Sequence, residues 1–464
     1  MEQRQASVGF FAVCLAYCAI ILDGSVLNVA IPAIRRDLGS SMASAQWVLA
    51  GYTLPLAALL LTAGALGDRI GLRRMLLGGI AVFTTASAAC AAAPSVGWLI
   101  AARAVQGVGA AALLPATLAL VPHLFTDRAD RERATVAWVA AGAISVAAGP
   151  LVGGLLIDAF GWRSIFLINL PVGVVSLWLA RTHLPGTPRR RVPLDQAGQL
   201  TAAAALGLLT AGLITGGAAG WGSPATLGLL AGAIAAGAGF WLAERRGRHP
   251  MLPLPFLRHR VRTPAVLSAG LMGFVFYGTL FVMSMYFQQL RGGSPGAAGI
   301  ALLPLTASST IGPLVLYRPL ARRYGHAVML AAGFACCALG IATLAAVGPR
   351  TAYPVALAGL LLVGGASTIA FSALTSLLMS VTPPRQSGLG SGLQNTTRQA
   401  GALIAVSILG AVLNTGLPTG LPAGRLPVAF AILGVAVMAG ITLGLTTVRA
   451  HSSTVVEVSA GENR

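Results

Sequence analysis

The sequence contains no lysine; all 31 basic residues are arginine. Without lysine a G-x-x-x-x-G-K-[ST] phosphate loop cannot be built, so the chain carries no Walker-type ATP site of its own. Charge of either sign is scarce, 9% of residues against about a quarter in a soluble domain. The five cysteines, Cys14, Cys18, Cys90, Cys336 and Cys337, lie in apolar runs without a C-x-x-C pair. That excludes a zinc site and a disulfide framework and leaves them as small apolar fillers. The six histidines, from His123 to His451, fall between the apolar runs, at the end of one or in the tail, and no H-E-x-x-H occurs. With no nucleophile paired to a base inside a run, an enzyme is not expected, nor is a metal or another cofactor.

What the chain has is apolar surface. Hydrophobic residues make up 56% of its 464 positions. A bilayer crossing takes about 20 apolar residues, and the runs read as fourteen spans, near 10–30, 46–66, 75–94, 97–121, 135–158, 164–183, 198–217, 225–243, 264–287, 297–317, 327–347, 353–379, 389–413 and 427–448. The first run is read as a retained helix rather than a cleaved signal. The net charge of +19 sits in short arginine clusters between runs, a topology signal and not a nucleic-acid one. With both termini in the cytoplasm, 23 arginines face inward and 6 outward, while Arg103 and Arg398 fall inside spans. That bias fits a multi-pass protein of the cell membrane. Its partners are the lipid bilayer, protons and a small-molecule substrate, and it is expected to be a monomer.

Two uncharged runs, 198–217 and 225–243, lie between the basic stretches 181–191 and 244–262. They divide the chain into a six-helix bundle over 1–184, an inserted pair over 185–262, a second six-helix bundle over 263–449 and a cytoplasmic tail over 450–464. The halves repeat. "GALGDRIGLRRMLLGG" from Gly64 aligns with "RPLARRYGHAVMLAAG" from Arg318, matching Leu66, Arg69, Gly71, Met75, Leu76 and Gly79 to Leu320, Arg323, Gly325, Met329, Leu330 and Gly333. Parallel six-helix repeats point to a two-bundle transporter. The expected fold is therefore all-α and integral to the membrane.

One acid, Asp23 in "CAIILDGSVLNVAIPAI", stands well inside a span. A carboxylate facing lipid costs ~2.5–3.5 kcal/mol on insertion scales, and intramembrane acids mark ion or proton paths. Asp23 reads either as a polar residue satisfied by its neighbours or as a proton carrier. Desolvation raises a carboxylate's pKa and a nearby arginine lowers it. A carboxylate that alternates between those settings loads and releases a proton near neutral pH.

At this point the motifs resemble the major facilitator superfamily, and within it the fourteen-helix drug:proton antiporter family. The resemblance covers nearly the whole chain. "LDGSVLNVAIPAI" resembles the first-helix motif, "GALGDRIGLRRML" the loop between helices 2 and 3, "RAVQGVGAA" from Arg103 the fourth-helix motif, "GPLVGGLL" from Gly149 the fifth-helix antiporter motif, and "WRSIFLINLPVG" from Trp162 the next signature. Ser145 stands where the fifth-helix motif often has glycine. The family fold sets helices 1 and 4 side by side, which implies that Arg103 partners Asp23 and that Gln106, one turn on, extends the path. The resemblance makes Gly64, Asp68, Arg69, Gly71, Arg73 and Arg74 a conformational latch beyond their positive-inside role. It makes Gly149, Pro150, Gly153 and Gly154 an interface that closes during antiport, on top of their use in close helix packing.

Substrate-cavity candidates are Asn28, Asn169, Phe276, Tyr277, Met283, Tyr286, Gln288, Asn395, Arg398 and Gln399, since polar residues within a span must face protein or water. The apolar ones read equally well as bundle core or lipid-facing surface. With Asp23 committed to the proton, the expected cargo is neutral, weakly anionic or at most singly charged. Proton-driven export of small lipophilic compounds is the leading reading. Proton-linked uptake on the same fold and a non-transporting membrane sensor are its competitors.

Overall fold

The computed structural model describes residues 2–189, 193, 195–247, 250–252, 254–383, 386–414 and 423–462. Arg190, Arg191, Arg248, Arg385 and Arg464, which enter the charge asymmetry, lie outside the described residues. Among the described residues there is no strand. Hydrocarbon offers no hydrogen bonds, so each apolar run satisfies its backbone internally by coiling into a helix.

The helices are α1 (Glu2–Asp37), α2 (Met42–Ile70), α3 (Leu72–Ala91), α4 (Val96–Ala119), the short α5 (Val121–Leu124), α6 (Arg128–Phe160), the short α7 (Ser164–Leu167), α8 (Asn169–His183), α9 (Gln196–Ala219) and α10 (Pro224–Arg246). There follow the short α11 (Leu254–Leu257), α12 (Arg262–Met285), a π turn at Tyr286–Leu290, α13 (Pro295–Ile311), a second π turn at Gly312–Tyr317, α14 (Arg318–Ala345), α15 (Tyr353–Ser380), α16 (Ser387–Leu413) and α17 (Leu426–Glu462). Polar caps mark the starts. Ser41 accepts from Ser44 N at 3.1 Å, Ser95 from Trp98 N at 3.3 Å and Ser223 from Thr226 N at 3.2 Å. At α6 the backbone N–H groups of Asp130 and Ala129 hold the Asp127 carboxyl below its usual range, as expected for an N-cap carboxylate.

Thirteen described helices are long and apolar enough to cross a membrane. One of them, Pro295–Ala345, runs for 51 residues, over twice what a bilayer needs. It is interrupted at Gly325, whose φ of 81° and ψ of 159° lie outside the helical region. The sequence reading places two spans there, 297–317 and 327–347. The first helix differs from its expected span. It continues past residue 30 to Asp37, through the buried Ile31 and Ile34.

The chain forms two compact units. The first comprises Met1–Met251, Met283–Leu303 and Val406–Leu421, the second Leu252–Val282, Pro304–Ala405 and Pro422–Arg464. In the first, α1 packs on α6 and α8, α4 packs on α2 and α3, and α9 lies against α10 and α2. Leu56, Leu76, Ile80, Phe83 and Leu113 are part of its buried core. Gln199 on α9 bonds both the Thr62 hydroxyl and, at 2.8 Å, the Ala58 carbonyl, tying α9 to α2. In the second unit α14 packs on α15 and α17.

Proline sets a further contact inside the first unit. Pro32 has no N–H, so the carbonyl one turn back, at Asn28, loses its helical donor. The Ser284 hydroxyl donates to it at 2.9 Å, and Gln288 Nε2 donates to the next carbonyl, Val29, at 3.1 Å.

Candidate functional site

Asp23 lies on α1 about 21 Å along the helix from Asp37, at 1.5 Å per residue. Its side chain is 2% exposed and that of Arg103 is 1% exposed. Arg103 Nη1 donates to Asp23 Oδ2 at 2.5 Å. The other carboxylate oxygen, Oδ1, accepts from Gln106 Nε2 at 3.0 Å and from Asn169 Nδ2 at 3.0 Å. Every close polar group facing the carboxylate is therefore a donor, and one carries a full charge.

Helix packing explains how four elements converge here. A Cβ at Gly107 on α4 would overlap the Tyr52 carbonyl on α2, and one at Gly51 would meet the Ile100 carbonyl at 3.1 Å. The two backbones approach closely because neither position carries a side chain. That approach seats the Arg103 guanidinium over the Tyr52 ring, 4.2 Å from its centroid, with the Phe166 ring at 5.7 Å. Both are cation–π distances. Tyr52 is held in turn by its hydroxyl, which donates to the Ile20 carbonyl at 3.2 Å.

Arg103 is supported beyond its partner acid. Nη1 also donates to Gln106 Oε1 at 2.6 Å, and Nε donates to the Val48 carbonyl at 3.4 Å. Gln106 Nε2 donates to Ser87 Oγ at 2.8 Å, and Asn169 reaches the same hydroxyl at 3.4 Å. If Asp23 takes up a proton, Arg103 keeps an amide oxygen, a carbonyl and two aromatic faces. The arrangement can thus hold a cation beside either charge state of the acid, which a lone buried ion pair cannot do.

The expected trio of Asp23, Arg103 and Gln106 is brought together. Asn169, expected as a cavity residue, stands with them at the carboxylate. Ser87 and Tyr52 are missing from the sequence reading. Ser87 sits in the small-residue run "TTASAAC" and Tyr52 in an apolar span, and neither carries a local signal.

The remaining candidates separate. Asn28 is buried and donates along its own helix to the Gly24 and Ser25 carbonyls, both at 3.4 Å. Tyr286, Met283 and Gln288 are buried in the first unit. Phe276, Tyr277, Asn395, Arg398 and Gln399 belong to the second. In the 2–3 loop, Gly71 makes the turn at φ 96°, and Arg73 Nη2 donates to the Arg181 carbonyl at 2.7 Å. Nothing lies within 4 Å of a Cβ built at Gly64. Asp68, Arg69 and Arg74 are exposed, and among the described residues none makes an ion pair. On α6, Gly149, Pro150, Gly153 and Gly154 are all buried. A Cβ at Gly149 would overlap the Ser25 hydroxyl, one at Gly153 would come within 2.7 Å of Val26 Cγ1, and one at Gly154 would overlap the Pro295 carbonyl. No group of three or more metal-ligating side chains exists among the described residues.

A polytopic bundle of apolar helices with a buried, fully bonded acid–arginine pair defines a multi-pass membrane protein. The chain belongs to the Major Facilitator Superfamily, whose family model matches residues 13–406. It is 33% identical over 458 residues to the methylenomycin A resistance protein of Bacillus subtilis (strain 168), covering 98% of this chain and 97% of that one. It is 35% identical to the multidrug resistance protein Stp of Mycobacterium tuberculosis (strain ATCC 25618 / H37Rv), over 85% of this chain and 73% of that one. It is 33% identical to the tetracenomycin C resistance and export protein of Streptomyces glaucescens, over 87% and 75%. Among solved structures, an auto-inhibited POT family peptide transporter aligns with a TM-score of 0.70 at 17% identity over 96% of both chains. That likeness shows the fold.

Proposed function

We propose that this protein exports small lipophilic compounds in exchange for protons, with Asp23 as the proton carrier and Arg103 and Gln106 as its coupled partners. The observation that carries the reading is the Asp23 carboxylate, sealed from solvent and bonded by Arg103, Gln106 and Asn169. The drug and antibiotic resistance relatives support export as the direction. Protonation of Asp23 removes the charge that holds Arg103, while Gln106, the Val48 carbonyl and Tyr52 keep the arginine in place. The loss of that ion pair is what frees α1 to move against α4. Asp68 and the arginines around it act as the latch of the cycle, and the α6 glycines form the surface that closes.

In this reading the chain crosses the cell membrane fourteen times with both termini cytoplasmic. Pro295–Ala345 counts as two crossings, turned at Gly325, and α9 and α10 are inserted between six-helix halves. One proton falling through 100 mV supplies about 2.3 kcal/mol, and one pH unit adds about 1.4 kcal/mol. Together they sustain roughly a several-hundred-fold gradient of a neutral cargo, without ATP.

The test is transport by the purified protein in proteoliposomes under an imposed pH gradient. Accumulation of a lipophilic dye that collapses with the gradient supports the reading. Equal rates with and without the gradient, or with Asp23→Asn, defeat it.

A further inference from the structure

The second unit holds a cation near the middle of a membrane span that makes no ion pair among the described residues. Arg398 lies on α16, about 17 Å from Ser387 and about 22 Å from Leu413 at 1.5 Å per residue. From Arg245 to Val456 the sequence has neither aspartate nor glutamate. The second unit, Leu252–Val282, Pro304–Ala405 and Pro422–Arg464, therefore owns no carboxylate except Glu457 and Glu462 near the C-terminus. Asp23, the one acid well inside a span, is taken by Arg103.

The surroundings of Arg398 are built to hold its charge without cancelling it. A Cβ at Gly273 would overlap the Arg398 carbonyl, and one at Gly401 would overlap the Gly270 carbonyl, so α12 and α16 touch backbone to backbone. One turn beyond Gly273, the Tyr277 hydroxyl accepts from Arg398 Nη1 at 3.2 Å. Asn395 Oδ1 accepts from Nη2 at 3.4 Å. The guanidinium carbon stands 5.5 Å from the Phe371 ring centroid on α15 and 6.0 Å from that of Tyr277. Nε is shut from solvent and has no partner. The side chain as a whole is half-buried. Two long neutral bonds, two ring faces and an idle donor leave a full positive charge uncompensated, in a setting where such residues are paired or mark a substrate path.

We propose that Arg398 is the recognition point for an anionic group on the exported compound, of the carboxylate class, with Tyr277 and Asn395 aligning the guanidinium and Phe371 lining the apolar side. The inference rests on the export reading and narrows its cargo to monoanionic amphiphiles. The planar guanidinium fork matches a carboxylate as lysine does not. A phospholipid phosphate offers the same charge, and the experiment separates the two.

The test is binding to the purified full-length protein in detergent at pH 7, read by fluorescence polarisation. The probes are dansyl-phenylalanine, a monoanion, and its neutral methyl ester. The expected result is that the acid binds at least about tenfold more tightly than the ester, the difference one charge-assisted hydrogen bond supplies. Arg398→Gln removes that preference and leaves the ester within about twofold, while Tyr277→Phe weakens the acid alone and by less. Should Arg398→Gln fail to accumulate, Arg398→Lys carries the test, and a selective fall in acid affinity supports the proposal. Equal affinity of acid and ester for the unaltered protein, equal loss of both in the variants, or binding of neither probe overturns it. Displacement of the acid by phosphatidylglycerol but not by short-chain carboxylates also overturns it, assigning the site to a lipid headgroup. Binding needs no gradient, so this outcome is independent of proton coupling, which is judged by transport of the bound acid probe in proteoliposomes with and without an imposed pH gradient.

Discussion

Asp23 and Arg103, 80 positions apart in sequence, meet at 2.5 Å with both side chains sealed from solvent. Arg103 does not depend on this partner alone, because the same nitrogen bonds Gln106 and the ring of Tyr52 lies under the guanidinium. Asp23, by contrast, has no positive neighbour other than Arg103 within ion-pair distance among the described residues. The pair is asymmetric, and substitutions on its two sides are expected to differ.

Asp23→Asn keeps the shape of the site and the donors around it, and Arg103 retains its other contacts. The expected protein is folded, with a normal gel-filtration profile, and unable to couple efflux to a pH gradient. Proteoliposome uptake under an imposed gradient measures it, and active transport at the unaltered rate would remove Asp23 from the mechanism.

Arg103→Ala strands the Asp23 carboxylate in a dry interior. Breaking one side of a buried pair costs about 3–5 kcal/mol when the other stays charged. Thermal unfolding in detergent should therefore occur at a lower temperature than in the unaltered protein. Arg103→Lys should restore little coupling, because one ammonium cannot reach Asp23, Gln106 and the Val48 carbonyl in the geometry of the fork. A double-mutant cycle with Asp23→Asn should be strongly non-additive, and additive effects would mean the two act apart.

Gly149→Ala would press a methyl group into the Ser25 hydroxyl. Overpacking of this kind costs about 1–3 kcal/mol, so melting temperature and transport should both fall. Ser25→Ala in the same chain removes the nearest atom and should return part of both. Failure of that second change to help would show that α1 and α6 do not meet at this point in the working protein.

Asp68→Asn alters an exposed carboxylate without an ion pair among the described residues. Stability should move by no more than about 0.5 kcal/mol, while the latch role proposed for Asp68 requires turnover to slow. Binding and turnover are to be measured separately. A loss of affinity at normal turnover would contradict the latch.

Much of this was legible in the residues. Hydropathy and length settle where chain can cross a bilayer, because hydrocarbon tolerates no unbonded backbone. A lone acid amid such runs announces itself by its cost, and Arg103 stands out for the same reason. The expected crossing at 297–317 and 327–347 appears as one run with a glycine break at Gly325. Helix ends are less visible, and α1 runs on to Asp37 because Ile31 and Ile34 find a buried surface there.

The sequence by itself determined that this is a membrane chain of many helices, which family's motifs it carries and that Asp23 needs a partner. Only the tertiary structure decided who else attends that carboxylate. Asn169 comes from 146 positions away, and Ser87 closes the network from α3. Only the fold, too, joined the carbonyl freed by Pro32 to the Ser284 hydroxyl and set Tyr277 beside Arg398. Periodicity tells which face of a helix avoids lipid. It does not tell which other helix that face meets, because glycine contacts such as Gly107 against Tyr52 and Gly273 against Arg398 fix the approach between backbones, and those pairings exist only once the helices have packed.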